Sequence, residues 1–176
     1  MRNEEGYQST DAIFQDVPED IDETWHWGAL IGGMAEERDD AEVARAFRQA
    51  ADVLTREALR TRLPWELSYP ILFTYRHAIE LYLKAILKPG KRNHNLSTLV
   101  DALDELGRTR LGRPLPLWVK ERLREFATFD PISTTFRYAG PARAPELGSE
   151  TWVDYHYLVK TMEVIFRDFE KMLHEG

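Results

Sequence analysis

Arg76, Glu80 and Lys84 stand four residues apart in a segment, residues 69–88, that is otherwise almost wholly apolar. A guanidinium, a carboxylate and an ammonium in that order can hold a phosphate, polarise a hydroxyl or neutralise one another. On a helix the spacing puts all three on one face. At about 100° per residue, Phe73, Arg76, His77, Glu80, Lys84 and Lys88 occupy about a third of the circumference, and Ile71, Tyr75, Ile79, Tyr82, Leu83 and Ile86 lie on the rest. A helix apolar over that much of its surface belongs at the centre of a bundle. Charges there are costly to bury unpaired, so the stripe must either close on itself as ion pairs or line a cleft.

The segment breaks at Pro89-Gly90 into a basic loop with Lys91 and Arg92, and His94-Asn95 precedes a new apolar period at Leu96, Leu99 and Leu103. Asn95 is a good helix N-cap. His94 is thereby placed beside the end of the charged helix, near its lysines, where an imidazole can act as general base or phosphate donor, or simply hydrogen-bond the backbone. Arg137, in Phe136-Arg137-Tyr138, can reach back to pair with Glu80 or bind an anion. The candidate catalytic set is therefore Arg76, Glu80, His94 and Arg137. Lys84, Lys88, Lys91, Arg92 and Tyr138 are the candidate nucleic-acid contacts, and no metal or cofactor site is read. The plain alternative for Arg76, Glu80 and Lys84 is an ion-pair ladder that fixes helix register.

Arg76-His-Ala-Ile-Glu80-Leu-Tyr-Leu-Lys84-Ala, a short basic loop, then His94-Asn95-Leu96 and Leu99, resembles the second helix and turn of HEPN domains. Those domains carry an Arg-x-x-x-Glu-x-x-x-Lys-Ala helix followed by a His-Asp-Leu turn. Phe136-Arg137-Tyr138 resembles a segment of some HEPN-like bacterial proteins. The resemblance covers residues 40–174 and implies an antiparallel bundle of four to five helices that forms a homodimer. It also implies RNA or nucleotide as ligand and a toxin–antitoxin or phage-defence setting, with a protein partner such as an antitoxin. The family's metal-independent RNases carry an arginine followed, after about four to six residues, by a histidine. Here that spacing occurs at Arg167 and His174, with Asp168 beside the arginine, in the last turns of the chain. The family instead places the motif where two protomers share a cleft, so metal-independent RNase activity and an inert module for protein association stay open side by side. A helical bundle that binds a small ligand is a reading independent of the resemblance.

Composition sets the outer limits. The chain has 176 residues, 43% hydrophobic and 30% charged, which suits one globular bundle with a real core. The absence of cysteine excludes disulfides, thiolate metal sites and a cysteine nucleophile. No leader-like opening and no apolar run of membrane-spanning length is seen, so the expected location is the cytoplasm, away from membranes. A net charge of −7 argues against indiscriminate coating of nucleic acid. A local basic patch is still available from Lys88, Lys91, Arg92, Arg108, Arg110 and Arg113.

Five helices are expected. The first, residues 40–61, would bury Val43, Phe47, Ala50, Ala51, Leu54 and Ala58. The central one spans residues 65–88 and tolerates Pro70 only in its first turn or at a kink. The third runs over residues 96–106 to a stop at Gly107, and the fourth over residues 117–129. The last covers residues 150–174 with a stripe from Trp152 to Leu173. Residues 130–149, with Pro131, Pro141 and Pro145, read as an excursion long enough to carry function. His156, Glu163, Arg167, Glu170 and His174 read as a solvated flank of the last helix. Residues 1–39 form an acidic irregular segment, distinct from the bundle of residues 40–176. Ile13, Phe14, Trp25 and Trp27 are its expected anchors, and Trp25-His26-Trp27 is either a hydrophobic clasp or a base-stacking platform.

Overall fold

The computed structural model describes residues 14, 19, 26, 29, 39–88, 94–110, 112–131, 133–137 and 151–174. The chain divides into two compact units, Met1–Glu37 and Arg38–Gly176. In the first, Phe14 is exposed, and the anchoring expected of Ile13, Trp25 and Trp27 lies outside the described residues. In the second, the described residues form five helices and no strand: α1 (Asp40–Thr61), α2 (Ser68–Leu87), α3 (Leu96–Arg110), α4 (Leu117–Phe129) and α5 (Tyr155–His174). No helix among them is long and apolar enough to cross a membrane.

α1 begins where the Asp39 carboxylate accepts the Glu42 amide at 2.7 Å, with Asp40 and Glu42 complementing the helix dipole. It buries Ala51 and Ala58 as expected, but with the small residues Ala41, Ala44 and Thr55 in place of the larger side chains. Phe47 and Leu54 sit half-buried on the flanks and Ala50 is exposed. Small side chains at the contact let α1 and α2 approach closely, which leaves the bulk of the core to α2.

α2 starts at Ser68, three residues later than the pattern suggested, so Pro70 falls in the first turn, where its missing N–H costs nothing. Ser68 donates to the Pro64 carbonyl at 3.0 Å and Thr74 to that of Pro70 at 2.6 Å. α2 packs against α1, α3 and α5, and Ile71, Tyr75, Ala78, Ile79, Tyr82 and Leu83 are fully buried. It is the central helix that its apolar surface demands.

The aromatic centre lies between α2 and α5. Tyr82 packs on Phe166 and Phe169 with ring centroids 5.2 and 5.7 Å apart. The hydroxyls of Tyr75 and Tyr82 are satisfied by donating to Asp52 at 2.7 Å and Glu170 at 2.5 Å. Burial and the Glu170 carboxylate push the Tyr82 phenol up to about 12, so it stays a donor. The same pairs give the helix directions. Asp52 meets Tyr75 and Phe47 meets His77, so α1 and α2 run oppositely, whereas Tyr75 with Phe166 and Tyr82 with Phe169 make α2 and α5 parallel.

Gly107 does not stop α3, which continues to Arg110. A Cβ at position 107 would lie 2.9 Å from the Arg113 carbonyl oxygen, so the glycine is there to let the returning chain pass against the helix. The Arg113 amide donates to the Gly107 carbonyl at 3.2 Å across this approach. Gly107→Ala is expected to lower the unfolding free energy by about 1–2 kcal/mol despite the better helix propensity of alanine, because backbone must move. Urea unfolding checks it, and a stabilised variant would show that the approach is loose.

α5 starts at Tyr155, after Asp154 accepts the His156 and Tyr157 amides at 2.9 and 3.1 Å. Trp152, placed on the buried stripe by the sequence pattern, precedes the helix and is exposed. The capping aspartate decides the start, and the helical period does not extend behind it.

Candidate functional site

The stripe on α2 closes on itself. Arg76 is 0% exposed and the Glu80 side chain 2%, and the Arg76 guanidinium donates to Glu80 Oε2 at 2.7 Å. Glu80 Oε1 accepts the Lys84 ammonium at 2.7 Å and lies 2.8 Å from His94 Nδ1. All three contacts follow from one-turn spacing on α2 plus the turn before α3, where the Asn95 carboxamide oxygen caps by accepting the Thr98 amide at 3.2 Å.

Two cations and one anion on a buried stripe leave a positive charge over, and Asp130 balances it. This residue, fully buried at the end of α4, was not among the candidates. Its Oδ2 lies 3.3 Å from Arg76 Nε, which also donates to the Asp130 carbonyl at 2.8 Å. Its Oδ1 accepts the Thr134 and Thr135 amides at 2.6 and 2.9 Å, folding the excursion after α4 into a turn. A further Arg76 N–H donates to the His94 carbonyl at 3.2 Å. One guanidinium thus ties α2 to the turn before α3 and to the end of α4, a task for the planar fork of arginine.

Electrostatics favour the ionised ladder. Burial works to raise the Glu80 carboxyl, but the hydrogen bonds from Lys84, Arg76 and His94 outweigh it and hold the group below the usual carboxylate range. His77, the other titratable group on the stripe, is lowered first by burial. Glu80 opposes this, and the Arg76, Lys84 and Arg137 cations add to it, so the ring is neutral at physiological pH. It stacks on Phe73 with centroids 5.9 Å apart and meets Phe47 edge-on at 4.4 Å.

His94 is the member that meets solvent, with its side chain 71% exposed. A hydrogen bond to a carboxylate requires the proton on Nδ1, so the neutral ring keeps Nε2 as an acceptor. Lys84 Nζ is 3.4 Å from the same Nδ1 and partly exposed. An oriented imidazole beside an ammonium is a group that can take a proton next to a site that can hold a negative charge.

Arg137 donates to the Ser133 carbonyl and lies over the Phe73 ring, 5.8 Å from its centroid. The Glu80 oxygens are occupied by Arg76, Lys84 and His94. Lys88 is exposed at the end of α2, and Lys91, Arg92 and Tyr138 lie outside the described residues. Arg167 and His174 are exposed on α5. Glu170, expected on the same solvated flank, instead receives Arg45 at 2.9 Å and the Tyr82 hydroxyl, because it faces α1 and α2. Among the described residues no group of three or more histidine, aspartate or glutamate side chains converges as metal ligands do. Comparison of the chain with family models, curated proteins and solved structures gave no significant match.

Proposed function

We propose that the chain is a HEPN-like helical bundle that binds RNA or nucleotide where the buried ladder opens to solvent, with His94 and Lys84 as the groups that meet the phosphodiester. One observation carries this: an exposed imidazole is held at Nδ1 by a carboxylate that is itself buried and locked by Arg76 and Lys84. Such an arrangement leaves Nε2 to take the 2′-hydroxyl proton as that oxygen bonds to phosphorus and the 5′-oxygen leaves, protonated from solvent, with a 2′,3′-cyclic phosphate as product. It also puts the Lys84 ammonium beside the negative charge that develops on the non-bridging phosphoryl oxygens. No metal is needed for that step. Arg76 and Glu80 are positioning residues in this reading, since neither reaches solvent.

The burial and mutual neutralisation of Arg76, Glu80 and Asp130 specifically favour a second reading, an inert module whose ladder only fixes the helices. The toxin–antitoxin or phage-defence setting and the homodimer belong to the proposal through the resemblance alone. The ion pairs of the ladder all form within one chain.

Incubation with a mixed RNA pool in EDTA, read for cleavage and for gel retardation, separates the readings. Under the first, His94→Ala is expected to reduce cleavage by about 100-fold or more, and His174→Ala to leave it nearly intact. The reverse pattern would restore Arg167 and His174 as the working pair. An unmodified protein that neither cuts nor retains RNA would leave the inert module as the function.

A further inference from the structure

We infer that the outer edge of α2 is a stacking track for unpaired nucleobases, leading a single strand toward His94 and Lys84. The inference rests on the proposal that the ladder's open end receives RNA. It stands on a different set of residues. Tyr69, Phe73 and His77 recur every four residues along α2, about one ring per helical turn. Tyr69 is 53% exposed, and Phe73 and His77 are half-buried.

The rings on this edge fall into two pairs, Phe73 with His77 and Tyr69 with Phe136. Phe73 and His77 are nearly parallel, 5° apart in plane, and Tyr69 lies 6.4 Å from Phe136 in the turn organised by Asp130. Arg137, next in sequence, places its guanidinium over Phe73. A neutral histidine in this row is a flat ring rather than a charge, and it extends the aromatic surface to within two turns of Lys84.

Chemistry selects the occupant. An apolar protein surface needs no cation over its central ring, whereas a nucleic acid strand presents flat bases on one side and phosphates on the other. Rings interleaved with Arg137 and continued by Lys84 match both. The bases must be unpaired, because a duplex hides their faces. Sequence preference is expected to be weak, since stacking accepts every base.

Fluorescence anisotropy with the full chain tests the track, using a short labelled 2′-O-methyl RNA that cannot be cut at the ribose, alone and annealed to its complement. The single strand is expected to bind more tightly than the duplex. Tyr69→Ala and Phe73→Leu should each weaken single-strand binding by at least about five-fold, while Phe73→Trp retains it, which separates stacking from simple packing. Tyr69 is exposed enough that its loss leaves the fold intact, and helical circular dichroism verifies this. If the unmodified protein binds the strand and both ring variants bind equally well while Lys84→Ala does not, the track is overturned and the phosphate site stands. If the unmodified protein binds no strand, the phosphate site and the track fall together. A dimer in light scattering that Tyr69→Ala splits would overturn the track in favour of a second copy of the chain on the same rings.

Discussion

Arg76→Met is expected to lower the unfolding free energy by about 3–5 kcal/mol. The substitution removes a cation that faces two buried anions. Glu80 keeps Lys84 and His94, but Asp130, at 0% exposure, is left with a carboxylate that has only the Thr134 and Thr135 amides. The carbonyls of His94 and Asp130 lose their donor as well. Arg76→Lys should rescue little, because a single ammonium cannot reach Glu80, Asp130 and the His94 carbonyl together. Adding Asp130→Asn to Arg76→Met should recover part of the loss by removing the orphaned charge. By contrast His94→Ala, at an exposed end of the ladder, should cost less than about 1 kcal/mol. Urea unfolding followed by circular dichroism orders these variants, and an Arg76→Met loss below about 1 kcal/mol would show that the ladder does not hold the helices.

That ordering matters for function, because it separates two roles of one network. Residues that stabilise by pairing in the interior and a residue that works at the surface differ in what their removal does. Arg76 and Asp130 should move stability and carry activity down with it. Under the proposed function, His94 should move activity with stability nearly unchanged. An active protein in which His94→Ala changed both equally would place the imidazole in the structural network.

The charged stripe was legible because it is a local pattern. Arg76, Glu80 and Lys84 lie one helical turn apart, and His94 lies on the turn that the next cap dictates, so spacing alone brings four groups together. Asp130 was not legible by that route. It lies 54 residues from Arg76, and an aspartate between Phe129 and Pro131 reads as a helix stop. Charge arithmetic was the available signal: two cations against one anion on a core helix call for a second acid. Helix existence was equally local, but which residues α1 buries depended on what faced it. Packing against the bulky α2 put Ala44 inside beside the expected Ala51 and Ala58 and left Phe47 and Leu54 half-buried. Gly107 misled for a related reason, since it serves the close approach of the returning chain at Arg113 and not a helix end.

A second large effect is expected at Asp104, where α3 is fastened to the start of α4. Its Oδ2 receives Lys120 at 2.6 Å and Arg108 at 3.3 Å, and its Oδ1 accepts the buried Leu115 amide at 3.0 Å. Asp104→Ala leaves that amide without an acceptor and is expected to cost about 2–3 kcal/mol at neutral pH. Asp104→Asn keeps an oxygen for the amide and removes only the charge, so it should lose less. The pH dependence follows from the carboxyl itself. Lys120 foremost, then, against burial, the Leu115 amide and Arg108, hold it at about 2 in the folded chain, compared with about 3.9 for an aspartate in an unfolded one. The folded value is the lower of the two, so the unfolded state binds the proton first as the solution is acidified. The charge therefore stabilises fully above about pH 5, and its contribution fades as pH falls through about 4 toward about 2. Urea unfolding of the unmodified protein and of Asp104→Asn over that range should show a constant gap near neutrality that narrows on acidification. A gap that stays the same at the acid end would mean that shape, and not charge, is what Asp104 supplies between α3 and α4.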